Sequence, residues 1–395
     1  MTNAGDGLTT LREAIVAANS HAGDDSISFS PTVFTSGSLH TIKLTGGQLT
    51  LSDTSGATTI TGPGFAIAAV DGDGKSRVFQ ISSGVSASIS GLTITGGLVD
   101  DSAVDGAEAL GGGIFNAGTL SLTGVTVTAN SVIGGGGAAA RGGGIYSAAG
   151  SLTISGSTIA NNQSHGGLGS TVEGNCGSGG AGFGGGIYSA GALSVTDTGI
   201  TSNAVSGGVN SQHQDKPADA FGGGAYVAGP ASFIGSTISG NSATGANQDY
   251  LGQGTGNALG GGIYAGGASL TITQTIVSSN QITGGNGGAE TGPGGDALGG
   301  GVYTKATQTT ISDSTISGNQ ASAGSGGEDQ RPTYEGTGAG GGVYSSTGSL
   351  TINTSTISGN SAGGGGGGIY ASAGGLGAGG GVHSGGALTI SRSTI

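Results

Sequence analysis

The sequence is poor in the residues that disulfide bonding, polyanion binding or membrane insertion draw on. It has one cysteine, Cys176, in 395 residues, so no internal disulfide can form. Cys176 falls in a variable insertion, where an exposed bystander is a simpler reading than a nucleophile. There are six prolines, and with no strict Gly-x-y period this excludes collagen. Only 8% of residues are charged, so solubility rests on Ser, Thr, Asn and the backbone. Lys and Arg number 9 against 22 Asp and Glu, a net charge of −13. That balance argues against nucleic acid and anionic membranes as partners and is compatible with Ca²⁺ or a neutral polysaccharide. No apolar run reaches 18 residues, so no direct membrane insertion is expected in this stretch. No basic-then-apolar start marks a signal peptide.

What fills the chain is glycine, 95 residues of it, arranged in a repeat. Gly triplets begin at Gly111, Gly142, Gly184, Gly222, Gly260, Gly299, Gly340 and Gly379. The residues that follow them, Ile114 to Val382, are spaced by 31, 42, 38, 38, 39, 41 and 39 residues. Such self-similarity means a solenoid. Each repeat has a constant part with three β-type runs, GGGIY, SLTI and STI, the last followed by two residues and an Asn. A variable Gly-rich insertion follows, 11 residues in the first repeat (131–141) and 21 in the second (163–183). Three short strands per turn, with every insertion leaving at one corner, describe a parallel β-helix. Helical repeats fail, because the array has no 3.6-residue period and too much Gly.

Alternation within the coil assigns the faces. In Leu152-Thr153-Ile154-Ser155, Leu and Ile point one way and Thr and Ser the other. Stacked coils lie ~4.8 Å apart and bring like residues into ladders. Asn130, Asn162, Asn203, Asn241, Asn280, Asn319 and Asn360 are expected to form one at a turn, with amides bonded to the coils above and below. Phe115, Tyr146, Tyr188, Tyr226, Tyr264, Tyr303 and Tyr344 form an aromatic row, with His383 in the last place. Stacking of these rings on one another is the simpler reading. The sharper one has the tyrosines line a groove where sugars stack.

The pairing of Gly-Gly-x-Ile/Val-Tyr with hydrophobic-x-x-Asn, recurring in that order over residues 111–395, resembles the repeat of the polymorphic outer-membrane proteins. Those carry GGA-Ile and Phe-x-x-Asn motifs in autotransporter passenger domains; here Ile or Val stands where that family has Phe. Leu8-Thr9-Thr10-Leu11-Arg12-Glu13-Ala14-Ile15, with Ala18-Asn19 and Asp25-Ser26-Ile27-Ser28-Phe29, is similar to the leader segment of bacterial surface β-helix proteins with a Ser-Leu-Arg-Glu-Ala motif. The Cys that usually precedes that motif is absent. The resemblance implies an exported, right-handed β-helix on a cell surface and names no ligand.

Residues 8–20 are the one convincing helix, with Thr9 or Thr10 capping ahead of Glu13. A helical cap over the open end of the solenoid is the expected role. Residues 1–110 are read as this cap and about three irregular coils, and 111–395 as a regular array of about eight. The repeat is incomplete at Ile395, so a longer exported chain, cut within a coil, is the expectation.

Candidate chemistry is thin. Asp71 and Asp73, in Asp71-Gly72-Asp73-Gly74-Lys75-Ser76, are the candidate Ca²⁺ ligands, weak ones because a third carboxylate and the closing Glu are missing. A turn explains them as well, and no other cofactor is expected. Asp215, Asp219, Asp249, Glu290, Asp296, Glu328, Asp329 and Glu335 gather in insertions, as an acidic edge or weak Ca²⁺ sites, or simply as solvated loop charges. A pectin-acting lyase or glycoside hydrolase is the runner-up function, and needs clustered carboxylates. The coil strands of the array hold only Asp197 and Asp313, on non-adjacent coils. An ice-binding solenoid is a further alternative, from the Ser/Thr rows, weakened by Ile234 within them. The favoured reading is a non-catalytic, cell-surface or secreted bacterial adhesin or structural stalk that displays Gly-rich loops to polysaccharide or a neighbouring cell. The insertions are expected to stack into a ridge without a hydrophobic core of their own.

Overall fold

In the computed structural model the chain is described over residues 9–148, 150–169, 177–209, 218–248, 255–288, 292–327, 335–367 and 374–395. It opens on one helix, α1 (Leu11–Ala18). Thr10 caps it: its hydroxyl accepts the Glu13 N–H at 3.2 Å, and the Glu13 carboxylate accepts the Thr10 N–H at 2.8 Å, a capping box. Leu11, Ile15 and Ala18 are buried in the same core as Ile27 and Leu49 of the first coil, so the helix covers the apolar end. The Leu-Arg-Glu-Ala run is thereby explained. Leu11 anchors, Arg12 donates to the Gly47 and Gln48 carbonyls, and Glu13 caps.

Among the described residues, 47 strands follow and form five sheets of 11, 10, 10, 8 and 8 strands, with neighbours paired in parallel and in register. Three sheets make a parallel β-helix coil. One holds the strands after the Gly triplets (Ile114–Asn116, Ile145–Ser147 and equivalents). The second holds five-residue strands such as Thr119–Thr123 and Ser151–Ser155. The third holds strands leading to the Asn, such as Thr126–Thr128 and Thr158–Ala160. Of the 11 strands of the second sheet, three precede residue 111 and eight follow it. Side chains alternate across these strands, and the inward set fills one continuous core from Leu11 to Ile357, with Phe79 and Phe233 its largest fully buried members.

The other two sheets lie in residues expected to be loop. Each insertion starts as a strand directly after the Asn (Ser131–Ile133, Ala204–Ser206) and ends as a two-residue strand before the next triplet (Ala140–Arg141, Ala220–Phe221). These pairs stack into a flap beside the coil. The expectation of no separate core is corrected: Val205, Ala220, Ala243, Ala258, Ile282, Ala297 and Ala321 form a buried cluster in the flap. The cluster is thin, made mostly of Ala.

Coil and flap meet at a throat, and the two recurring motifs are its two sides. The chain leaves past the Asn and returns through the Gly triplet. The first Gly of every triplet has φ between 59° and 75°, the left-handed region that favours Gly. The third faces the Asn: a Cβ on Gly224 would lie 3.1 Å from the Asn241 amide carbon and 2.6 Å from the Gly262 carbonyl oxygen. Bare backbone is required there, which is why triplet and Asn travel together.

Candidate functional site

The Asn series lines the throat. Asn162, Asn203, Asn241, Asn280 and Asn319 are fully buried, and Asn130 nearly so. Each amide serves three coils. Asn241 Nδ2 donates to Asn280 Oδ1 and to the Ile200 carbonyl, both at 2.9 Å. Asn241 Oδ1 accepts from the backbone N–H and the amide of Asn203, both at 3.0 Å. Asn360 ends the series half-buried and donates to the Ile316 carbonyl. All of this polar capacity is spent on coil stacking. A second ladder, which the repeat's STI element holds in plain view, is made by its leading hydroxyl. Ser157, Thr198, Ser236, Thr275, Ser314 and Ser355 each accept the N–H of the coil before, at 3.1–3.3 Å.

From Tyr146 to Tyr344 the six tyrosine rings stack with centroids 4.8–5.3 Å apart and planes 2–12° from parallel. Phe115 closes one end at 5.3 Å and His383 the other at 4.7 Å. Sugar stacking needs a free ring face, and every tyrosine face here is covered by the next ring. The tyrosines offer edges and hydroxyls instead. A second outward row, absent from the sequence reading, packs against them: Phe183 and Phe221 stack at 4.9 Å and meet Tyr226 edge-on at 5.2 and 6.3 Å. Arg141 lies over Phe183 and Tyr188 and pairs with Glu108. Burial pushes the Tyr226 hydroxyl up to about 12, and that of Tyr264 higher still.

Asp71 and Asp73 do not converge on a cation site. Asp71 Oδ1 accepts the Asp73 N–H at 2.8 Å. The two Asp73 oxygens are taken by Lys43 at 2.7 Å and Lys75 at 2.5 Å. Hydrogen bonds from these ammonium groups pull the Asp73 carboxyl down to about 2. Asp73 itself is left-handed, φ 56°, so the stretch is a turn pinned by two lysines. Among the described residues, no three His, Cys, Asp or Glu gather into a group able to hold a metal.

Of the insertion carboxylates, Asp219 and Asp296 belong to a flap ladder. The Asn257 N–H donates to Asp219 Oδ1 at 2.7 Å, the Asp296 N–H to Asn257 Oδ1 at 2.8 Å, and the Thr337 N–H to Asp296 Oδ1 at 2.7 Å. Asn257 keeps the two carboxylates off adjacent coils. Cys176, His213, Asp215, Asp249, Glu290, Glu328 and Asp329 lie outside the described residues.

Among the described residues, the coil carboxylates and the histidines His21, His40 and His165 are not brought together into one site. Asp197 and Asp313 occupy the same left-handed corner, φ 48° and 50°, but Gly235 and Gln274 hold it on the two coils between, so the carboxylates stand about 14 Å apart. Glycosidase pairs require ~5–10 Å. His21 pairs with Asp25 at 3.1 Å and His40 packs on Phe34. His165 lines a cleft of ≈ 460 Å³ with Ile133, Leu168 and Val209. Its Nδ1 lies 2.9 Å from Ser206 Oγ, its register partner on the next coil, and its Nε2 3.1 Å from Gln163 Oε1. Burial lowers the His165 pKa.

The Ser/Thr rows stand on the outer face of the eleven-strand sheet, half-exposed or exposed, and the third sheet carries shorter rows of the same kind. No helix among the described residues is long and apolar enough to cross a membrane. No protein-family model matches the chain, and no curated protein or solved structure matches it.

Proposed function

We propose that the chain is a non-catalytic rod displayed on a bacterial surface or secreted, an adhesin or structural passenger of the autotransporter kind. One observation carries this reading: the outward chemistry repeats in register from coil to coil. A contact that one coil makes is offered again ~4.8 Å further on. Repetition of that kind suits multivalent attachment to a polymer or cell surface, where weak contacts add through effective concentration. It does not suit a single reaction centre. The flap supports the reading too, because its strands set the points where the insertions leave and return in register along one side of the rod. Calcium bound by the tips belongs to this reading as a proposal only.

The test removes the tips and spares the flap strands. Replacing 210–217 and 249–254 by short Gly-Ser turns leaves Val205, Ala220, Ala243 and Ala258 in place. The variant is expected to keep its β-sheet circular dichroism and lose adhesion to cells. Full adhesion by a folded variant moves recognition to another face. New reducing or unsaturated ends released from pectin, alginate or glucan by the parent protein overturn the non-catalytic reading.

A further inference from the structure

The outer face of the eleven-strand sheet carries a pattern that the coil does not require. Register sets two outward columns along it. The first runs from Ser26 through Thr59 and Thr153 to Thr389 and is Ser or Thr on every one of the 11 strands. The second, two residues along each strand, runs from Ser28 to Ser391 and departs from Ser or Thr only at Ile234 and Asn353. Neither column holds a charge, although the chain has 31 charged residues, 9 basic and 22 acidic.

Stacking alone does not ask for this. The inward Leu and Ile hold the core, and the Asn and Ser/Thr turn ladders hold the corners. A solvated outward position accepts an isolated Lys, Glu or Asp; only like charges on successive coils are disfavoured, which does not account for two columns with no charge at all. What the columns do supply is a flat array with fixed spacing, ~4.8 Å along the rod and roughly 6.7 Å across a strand. Each hydroxyl can donate or accept. Some are already oriented by their neighbours: Thr123 and Ser155 are 3.2 Å apart, and Thr273 and Ser312 3.1 Å. An independent feature breaks the polarity. Ile234 is 38% exposed in the second column, and Ile276, just past the corner on the next coil, is 47% exposed. A ligand for this face is therefore uncharged, long, rich in hydroxyls, and able to present an apolar patch. Sugars have both hydroxyl edges and C–H faces.

We propose that this face binds a neutral polysaccharide chain lying along the rod axis, its hydroxyls exchanging hydrogen bonds with successive coils and a C–H face seated on Ile234. The proposal rests on the adhesive reading above and names its ligand class and its face. Each neutral hydrogen bond adds little net free energy in water, so affinity comes from the number of coils engaged. Binding therefore rises steeply with polymer length and is insensitive to salt, since no ion pairs form.

The full chain is tested by co-sedimentation with microcrystalline cellulose and chitin, with polygalacturonate as the anionic control and short oligosaccharides as competitors. A variant carrying Thr153→Lys, Ser194→Lys and Thr271→Lys alters outward positions only, and its circular dichroism and melting show whether it is folded. Expected are salt-independent binding to a neutral polymer, weak competition by short oligosaccharides, and a loss on the order of tenfold or more in the triple variant. The loop-trimmed variant retains this binding. Undiminished binding by the folded triple variant overturns the proposal, as does preference for polygalacturonate. If the parent protein adheres to cells yet ignores neutral polymers, the proposal fails and the adhesive reading stands; if it does neither, both fail. Restricted ice growth without polymer binding assigns the face to ordered water and overturns the glycan.

Discussion

Asn241→Ala tests the throat directly. Asn241 is fully buried and makes four side-chain hydrogen bonds. Alanine removes all four. The Asn280 oxygen is not orphaned, because the backbone N–H at 241 still donates to it at 3.0 Å. The loss falls on the coil before: the Asn203 N–H and one Asn203 amide hydrogen lose their acceptor in a dry site. Each orphaned buried donor costs about 1–3 kcal/mol, so the pair costs about 2–6 kcal/mol. That is a large share of the 5–15 kcal/mol typical of whole domains. Nearest-neighbour coupling localises the damage in a solenoid, so a single midpoint is a poor readout. Hydrogen exchange is the assay, with urea unfolding beside it. The Asn203 amide should lose most of its protection while amides three or more coils away keep theirs. Asn241→Asp separates hydrogen bonding from volume. Its carboxylate still accepts from Asn203 but opposes the Ile200 and Asn280 oxygens. Burial raises its pKa above the unfolded ~3.9, so its stability relative to the parent is regained as pH falls and lost as pH rises through the raised value. The alanine variant has no such dependence. A change below about 1 kcal/mol in Asn241→Ala, with Asn203 exchange unaltered, would refute the reasoning.

Alkaline pH should release the tyrosine stack. Tyr226 is pushed up to about 12 by burial, so the neutral phenol stabilises the fold below pH ~10 and that contribution is lost between ~10 and ~12. After discounting for partial exposure it amounts to about 1–2 kcal/mol. Phenolate absorbance should rise together with loss of circular dichroism, and ionisation near pH 10 in an intact fold would contradict this. Gly208→Ala would put a Cβ 1.9 Å from the Gly167 carbonyl oxygen, so the flap should lose exchange protection at Gly208 and lose about 1–3 kcal/mol, with the coil amides unaffected. Gly156 is the contrasting case, left-handed at φ 53° with nothing near its Cβ position; Asp197 holds the equivalent place on the next coil, so the uncharged Gly156→Asn, which tolerates this conformation, should shift the melting curve little. Asn257→Asp places three carboxylates on successive coils and should lower stability by on the order of 1 kcal/mol, an effect that added salt relieves and a salt series of melting curves reads out.

The coil was legible because its signals are long-range. Eight triplets and seven Asn residues at matched positions report one geometry many times over, and Leu152-Thr153-Ile154-Ser155 shows a clean period of two. The stacking of the insertions was legible from their common corner, but the strands of the flap were not, for the opposite reason. Ala140–Arg141 and Ala220–Phe221 are strands of two residues, too short for alternation to register, and Ala and Gly carry almost no facing information. The Phe183–Phe221 row went unseen because only two of its members are aromatic. The Ser157-to-Ser355 ladder was hidden in a motif already assigned to strand. For the tyrosines, the repeat identified the row and left open whether the rings face each other or a ligand. That depends on a ring-to-ring distance of about one coil spacing, which composition cannot supply.

The flap shows why so much glycine is present. Just beyond its strands the backbone lies closer to the neighbouring coils than side chains permit. A Cβ on Gly167, Gly208, Gly324 or Gly365 would fall 1.6–1.9 Å from a carbonyl oxygen of the coil before. On the return side, just before the two-residue strands, Gly180, Gly256, Gly295 and Gly336 are as crowded, at 1.7–2.1 Å. Such packing replaces side-chain burial by backbone hydrogen bonds, among them Gly208 N–H to Gly180 O at 2.9 Å and Gly285 N–H to Gly256 O at 2.9 Å. Glycine loses the most conformational entropy on ordering, so a lone insertion of this composition would not hold a fixed shape. Stacked against equivalents on adjacent coils, each insertion is ordered by its neighbours, and the throat sets the register at which they meet. The Asn ladder therefore governs more than the coil: a one-coil lapse at the throat misaligns the glycine columns beyond it.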